Sequence, residues 1–287
     1  MQTFRTADGR TLAYRREGAG PLLVCHPGGP GFSGHEFGDL AGLADTLTLI
    51  LLDPRGTGGS DRPPDGSAYA LDDFSSDLDE LRVHLGLERM SILGYSHGGL
   101  VAMRYAAARP ERVERLVLVA TLARFGDAQQ EEYRHAMTER QGEPWYGEVA
   151  AALDAEERGE FETPEDLERL CLAMAPMYFA RWDDRARALV EETTDIGNVE
   201  ALKLFNADPP DLTPELGRIA APTLVIAGEQ DFICGPVSAR EVAAGIPDSR
   251  LVLLPDAGHW VFFEESERFG AAVREFLSSS VAAPATA

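Results

Sequence analysis

The stretch that most constrains this chain is a serine flanked by glycines at residues 94–98, which reads Gly-Tyr-Ser-His-Gly. It follows a short apolar run that begins at Met90, and it leads into residues 100–108, whose Leu, Val, Ala, Met and Tyr side chains suit a buried helix. A strand that turns at once into a helix, with serine at the apex, is a nucleophile elbow. The helix N-terminus would face the serine with its N–H groups and positive dipole end, where acyl transfer develops negative charge. We therefore predict that Ser96 is a nucleophile.

Strand and helix patterns alternate on both sides of this elbow. Residues 1–16 alternate apolar and polar around an Asp-Gly turn, which predicts an antiparallel hairpin. Further strands are predicted at residues 21–25, 47–52, 113–120, 222–228 and 250–254, and helices at residues 72–85 and 266–277. This alternation predicts an α/β fold, with a mostly parallel central sheet covered by helices on both faces.

Residues 125–217, here called the cap segment, have a different character. Strand patterns are missing and helical patterns replace them, for example at residues 147–160 and 163–174. The segment has 23 Asp and Glu against 8 Lys and Arg, so it carries most of the net charge of -22. A helical block inserted between two strands predicts a cap over the active site. The predicted organisation is a core of residues 1–124 and 218–277, a cap of residues 125–217, and a disordered tail of residues 278–287.

Charge and cysteine content restrict the partners and the compartment. A net charge of -22 argues against nucleic acid or an anionic membrane surface as a partner. No apolar run approaches the roughly 20 residues that cross a bilayer, and the N-terminus lacks the apolar region of a signal peptide. The three cysteines, Cys25, Cys171 and Cys234, are odd in number and widely spaced, which favours a reduced chain over a disulfide framework or a zinc site. We predict a cytoplasmic protein with no metal, and the oligomeric state stays open.

A nucleophilic serine needs a base, and the base needs a carboxylate that holds its tautomer. In this architecture the order along the chain is serine, acid, histidine. His259 directly follows the last predicted strand and is the predicted base. Asp231 follows the strand at residues 222–228 and is the predicted acid, with Glu229 and Asp256 as alternatives. The other possible acid position, after the strand at residues 113–120, is occupied by Thr121.

An oxyanion hole requires two backbone N–H donors near the developing charge. One is predicted to be the amide of His97, the residue after the serine. The other is predicted to be Gly29, in the Gly- and Pro-rich loop of residues 26–31. This loop lacks the Gly-Lys-Ser/Thr ending of a phosphate loop. The sequence leaves open whether the His97 side chain enters the pocket.

Several of these motifs together resemble the α/β-hydrolase superfamily over nearly the whole chain. They are the elbow, the Asp-Pro-Arg-Gly-Thr-Gly-Gly-Ser segment at residues 53–60, Asp231, and the Gly-His pair at residues 258–259. The Gly-Gly-Pro-Gly loop at residues 28–31 resembles the proline iminopeptidase family of serine aminopeptidases. That family usually has His-Gly-Gly-Pro-Gly, whereas here Pro27 stands between the histidine and the first glycine. Some members also have a glutamate after the catalytic aspartate, where this chain has Phe232.

The resemblance implies a cofactor-free serine hydrolase that forms an acyl-enzyme and releases an N-terminal residue from a small peptide, amide or ester. It also implies cap carboxylates that hold a free amine, for which Glu200, Asp208 and Asp211 are candidates. The alternative is an esterase, lactonase, thioesterase or acyltransferase for a small-molecule metabolite, with a pocket lined by apolar cap residues. A non-catalytic receptor would not need Asp231 and His259. Dehalogenase and epoxide hydrolase chemistry needs a carboxylate where Ser96 stands.

Overall fold

An eight-stranded sheet forms the centre of the computed structural model, which describes residues 1–64, 68–193 and 198–279. Its strand order is β1-β2-β4-β3-β5-β6-β7-β8. The strands are β1 (Gln2–Arg5), β2 (Thr11–Glu17), β3 (Leu22–His26), β4 (Thr48–Asp53), β5 (Met90–Tyr95), β6 (Val113–Val119), β7 (Thr223–Gly228) and β8 (Ser249–Leu254). The pairs β1–β2 and β2–β4 are antiparallel, and the other neighbours are parallel. The predicted α/β fold with a mostly parallel sheet is confirmed.

Helices cover both faces of this sheet. They are α1 (Leu71–His84), α2 (His97–Ala108), α3 (Asp127–Glu139), α4 (Tyr146–Glu157), α5 (Pro164–Met174), α6 (Asp184–Thr193), α7 (Val199–Ala207), α8 (Pro236–Gly245), α9 (Val261–Glu264) and α10 (Ser266–Ser278). Successive side chains of a strand point to opposite faces, so Ile92 and Leu93 join different apolar clusters. The first cluster includes side chains of α1, α2 and α8, and the second includes those of α9 and α10.

The helices α3 to α7 all lie between β6 and β7 in the chain. Helices α3, α4, α5 and α7 share a third apolar cluster, in which Val149, Leu167 and Met177 are fully buried, whereas Ala186 and Val190 of α6 pack into the second cluster. The described part of the cap segment is therefore helical, with a core of its own. The predicted domain boundaries stay a prediction.

Two expectations concern the chain end and the membrane. Ser278 is the last residue of α10, and residues 280–287 of the predicted tail lie outside the described residues. Among the described residues, no helix combines the length and the apolar character that a membrane crossing requires.

Candidate active site

Ser96 lies in a sharp turn between the end of β5 and the start of α2. Its backbone has φ 51° and ψ -119°, a conformation that a residue with a side chain rarely adopts. The turn is held by hydrogen bonds from Ser96 N–H to the Val119 carbonyl and from Gly99 N–H to the Ser96 carbonyl, both 2.9 Å. A Cβ at Gly94 would collide with the Gly98 carbonyl, and one at Gly98 with the His26 carbonyl. The two glycines of the motif are therefore steric requirements of the elbow.

Asp231 and His259 come from the loops that follow β7 and β8, and the fold brings them into contact. Oδ2 of Asp231 lies 2.8 Å from Nδ1 of His259, and both side chains are buried. The other carboxylate oxygen, Oδ1, accepts hydrogen bonds from the backbone N–H groups of Ile233 and Cys234, each at 3.0 Å. With Nδ1 donating to the carboxylate, Nε2 of His259 is left as the acceptor nitrogen. This is the arrangement that a general base requires.

The alternative acids do not share this contact. Glu229 and Asp256 are both exposed, and neither has a described hydrogen bond to His259. Thr121 supports the elbow, because its Oγ1 donates a hydrogen bond of 2.7 Å to the Ser96 carbonyl. Of the three carboxyl groups that the sequence offered for the role, Asp231 is the one that the structure places against the histidine.

Ser96 and His259 line a common cavity of about 110 Å³ beneath the cap segment. One side consists of residues of the core and its loops, and the other consists of cap residues. The core side is Gly29, Phe32, Glu36, Tyr95, Ser96, His259 and Trp260, and the cap side is Cys171, Met174, Ala175, Tyr178 and Val190. The cap side is mainly apolar, which agrees with the alternative prediction of a pocket lined by apolar cap residues.

The two residues predicted for the oxyanion hole lie in the glycine loop and at the start of α2. Gly29 lines the cavity, whereas the N–H of the preceding Gly28 donates to Oε2 of Glu36 at 2.7 Å. His97 begins α2, and its ring packs against Phe74 and Phe205 with centroids 5.2 and 5.5 Å away. Burial lowers the pKa of His97 to about 3, so the ring is neutral. The side chain of His97 therefore packs in the interior, which leaves its backbone amide for the predicted role.

The three cap acids that the resemblance suggested as amine anchors point to solvent. Glu200 pairs with Arg62 at 3.4 Å, and both side chains are more than half exposed. Asp211 accepts hydrogen bonds from its neighbour Thr213, and Asp208 is exposed just after α7. None of the three is among the described residues that line the cavity. An exposed carboxylate keeps its hydration, whereas a buried one loses it and requires a compensating partner.

Two polar residues of the cavity were not anticipated as functional residues. Glu36 lies in a short 3-10 turn, Gly34–Phe37, and is 3% exposed. Burial raises the pKa of Glu36 to about 8, although the hydrogen bond from Gly28 lowers it. Tyr95 stands inside the elbow motif and is 1% exposed. The sequence does show that Glu36 is an acid shortly after the glycine loop and that Tyr95 is next to Ser96. Neither position alone predicts a functional role.

One group of described residues has spacing that a metal ion could use, namely Asp231, Cys234 and His259. The contact between Asp231 and His259 already occupies Oδ2 and Nδ1. Burial, followed by the charge of Asp231, raises the pKa of Cys234 well above its usual value. A metal-binding cysteine acts as a thiolate, so a protonated thiol in this position is a poor ligand. The three residues therefore suit a histidine that is oriented by a carboxylate better than they suit a metal site.

Comparison with known proteins gives consistent matches over this whole architecture. A family model described as the alpha/beta hydrolase fold matches residues 21–266. A proline iminopeptidase from Lactobacillus helveticus is 30% identical over 272 residues, which cover 90% of this chain and 89% of that protein. Proline iminopeptidase PfmaB from Pestalotiopsis fici is 29% identical over 286 residues, which cover 96% and 99% of the two chains. The structure of a thermophilic esterase from Thermogutta terrifontis has a TM-score of 0.72 at 26% identity, covering 96% and 98%.

Proposed function

The chain belongs to the α/β-hydrolase family, and from this premise we propose that it is a cofactor-free serine hydrolase with a triad of Ser96, His259 and Asp231. The predicted resemblance to α/β hydrolases and to proline iminopeptidases is confirmed by the sequence matches. The observation that carries the triad is the 2.8 Å contact between His259 Nδ1 and Asp231 Oδ2, beside a serine that lines the same cavity from a nucleophile elbow.

In the proposed reaction, Oγ of Ser96 attacks the substrate carbonyl carbon while Nε2 of His259 takes the serine proton. Asp231 holds the histidine tautomer and stabilises the imidazolium, and the amides of Gly29 and His97 stabilise the oxyanion. The bond to the leaving amine or alcohol then breaks, and His259 gives its proton to that group. Water, deprotonated by His259, then attacks the acyl-serine ester, the bond from the acyl carbon to Ser96 Oγ breaks, and His259 returns the proton to Oγ as the acid is released.

For the substrate, we propose an N-terminal residue released from a small peptide, amide or ester. The support is the similarity to two proline iminopeptidases over about nine tenths or more of this chain. The size of the cavity agrees, because about 110 Å³ is far below the roughly 300–1,000 Å³ of pockets for drug-sized ligands. An acyl group as small as one amino-acid residue suits such a space.

The second candidate is an esterase, lactonase, thioesterase or acyltransferase for a small neutral metabolite. The apolar cap side of the cavity and the exposure of Glu200, Asp208 and Asp211 favour it. Similarity to the Thermogutta terrifontis esterase favours it as well.

The two candidates are separated by a panel of aminoacyl arylamides, simple acyl esters and simple acyl thioesters with acyl groups of similar size. Our proposal predicts release of arylamine from prolyl or other aminoacyl arylamides. Turnover of the simple esters or thioesters without any turnover of aminoacyl substrates would select the second candidate.

A further inference from the structure

Glu36 has the only carboxyl group among the described residues that line the cavity. Its Oε2 accepts the Gly28 N–H at 2.7 Å, and its Oε1 has no hydrogen-bond partner among the described residues. A Cβ at Gly28 would lie 3.2 Å from Glu36 Oε1 and 3.2 Å from Ser96 Cβ. A bare glycine backbone is therefore all that separates the carboxyl group from the serine. Glu36 and Ser96 also line the same cavity.

Tyr95 lines the same cavity, and its hydroxyl is a second buried polar group. It has no hydrogen-bond partner among the described residues, although the side chain is 1% exposed. The rings of Phe37, Trp260 and Phe262 pack against the Tyr95 ring, with centroid distances of 6.3, 6.1 and 5.0 Å. An unpaired buried hydroxyl destabilises the folded chain. A ligand that hydrogen-bonds to it would recover that cost.

The chemistry of the two groups restricts what a ligand can present to them. A ligand carboxylate would be buried here without a cationic partner, and an alkyl group would leave Oε1 of Glu36 and the Tyr95 hydroxyl unpaired. An amine has enough N–H donors for both Oε1 of Glu36 and the oxygen of Tyr95. Burial, and then the charge of Glu36, raise the pKa of Tyr95 well above its usual value, so the phenol stays neutral.

We propose that Glu36 and Tyr95 form the polar end of the cavity and bind the amino group on the acyl part of the substrate. This inference rests on the proposed serine hydrolase, because it needs the acyl group to sit beside Ser96. It assigns the amine contact to the core loop and to the elbow, and not to the exposed acids of the cap segment.

The proton balance of such a contact is favourable. The pKa of Glu36 is about 8 in the empty cavity, close to the roughly 7.7–8.0 of an ordinary α-amino group. A neutral amine that enters can take the Glu36 proton, which gives an ammonium-carboxylate pair without any exchange with solvent. The pair is desolvated by the surrounding rings, and such charge-assisted hydrogen bonds are strong when both partners are present.

The test uses two esters of one aryl alcohol, a prolyl ester and a cyclopentanecarbonyl ester, which differ by NH against CH₂. Wild type is expected to prefer the prolyl ester by at least about 100-fold in kcat/KM, because a site built for a donor rejects an analogue that lacks it. Glu36→Gln keeps an oxygen for the Gly28 N–H but loses the charge, and should lower this preference by about 30-fold or more. Tyr95→Phe should lower it by about 10-fold.

Glu156→Gln is the matched control. Glu156 is a half-buried cap glutamate whose pKa is also raised by burial, but it is not among the described residues that line the cavity. The control should leave both kcat/KM values unchanged. A second measurement, inhibition of wild type by prolinamide against cyclopentanecarboxamide, covers the case in which Glu36→Gln does not fold. Prolinamide should inhibit at least about tenfold more strongly.

Three results would overturn the proposal and still leave the serine hydrolase intact. The first is an equal kcat/KM of wild type for the two esters, and the second is an equal loss of kcat/KM for both esters in Glu36→Gln. The third uses one more ester, whose acyl group has an α-hydroxyl group in place of the amine, and is a kcat/KM of wild type for it as high as for the prolyl ester. The second result would mean that Glu36 only supports the Gly28 loop. Failure of the serine hydrolase itself would be recognised separately, by cyclopentanecarbonyl ester turnover that persists in Ser96→Ala.

Discussion

The core loops and the cap segment place their carboxyl groups in opposite ways. Asp231 and Glu36, in core loops, are 2% and 3% exposed and contact His259 and the glycine loop. Glu200, Asp208 and Asp211, in the cap segment, are exposed to solvent. The cap segment carries most of the excess acid of the chain, yet among the described residues the carboxyl group that lines the cavity, that of Glu36, comes from the core. Abundance of acid in a segment is therefore a poor guide to where a charged site lies.

The physical reason lies in the two kinds of element. The carboxyl ends of parallel strands meet at one edge of a sheet, so the loops after β5, β7 and β8 converge there. A cap helix has a buried face and a wet face, and in α5 Leu167 and Met174 are buried while Glu165 and Glu168 are not. The core thus gathers polar groups at one place, and the cap helices distribute theirs over the outer surface.

The largest expected effect is in the core, at the elbow. Ser96→Ala removes the nucleophile and should lower kcat on the best substrate on the order of 10⁶-fold, as loss of a triad nucleophile does in a serine protease. Steady-state kinetics checks this, and circular dichroism checks that the variant is folded. A variant that keeps a tenth of the activity would contradict the assignment of Ser96.

Asp231→Asn should cost about 10⁴-fold in kcat, because the amide cannot hold the imidazole in the productive tautomer. Glu229→Gln, two residues away and exposed, is the control and should have no effect. In the Ser96→Ala background, Asp231→Asn should add little, since the three groups act as one unit. A nearly silent Asp231→Asn beside a damaging Glu229→Gln would transfer the role to Glu229.

The burial of Glu36 predicts a stability effect that depends on pH. Its folded pKa of about 8 exceeds the ordinary glutamate pKa of 4.5, so the folded state keeps a proton that the unfolded chain loses. Wild type should therefore lose unfolding free energy through this group as pH rises from 4.5 to 8, by up to about 1.4 kcal/mol per pH unit. Glutamine does not titrate, so Glu36→Gln should gain stability relative to wild type over that range.

Urea unfolding at pH 5, 6.5 and 8 measures this difference. The exposed Glu200→Gln should show a difference from wild type that is small and the same at each pH. A difference between Glu36→Gln and wild type that is constant over the three pH values would show that Glu36 is not buried in the way described.

The smallest expected effect is in the cap segment. The triple variant Glu200→Gln, Asp208→Asn, Asp211→Asn removes three exposed charges and should change kcat/KM by less than about twofold, because exposed pairs contribute little. Kinetics with an aminoacyl substrate at two salt concentrations is the measurement. A loss of 30-fold or more that is specific for the aminoacyl substrate would return amine recognition to the cap segment.

How much of the site the sequence could predict depends on whether a residue follows a strand pattern or is positioned by tertiary contacts. The elbow, Asp231 and His259 were accessible because each follows a strand pattern, and because the glycines of the motif have a steric cause. Glu36 and Tyr95 were not, since their positions depend on how residues 34–37 fold back onto Gly28 and on which rings enclose the phenol. Helix α8 was also missed, because its short pattern of Val and Ala is weak beside Gly and Pro.

The central claim is that Ser96 is the residue that becomes acylated. The direct measurement is mass spectrometry of the intact protein and of its peptides after reaction with an aryl fluorophosphonate. Ester hydrolysis is followed in the same samples. We predict one adduct per chain, located on Ser96, whose appearance parallels the loss of activity and which is absent from Ser96→Ala and strongly slowed in His259→Ala. An adduct on another residue that parallels the loss of activity, or full inactivation without an adduct on Ser96, would contradict the account.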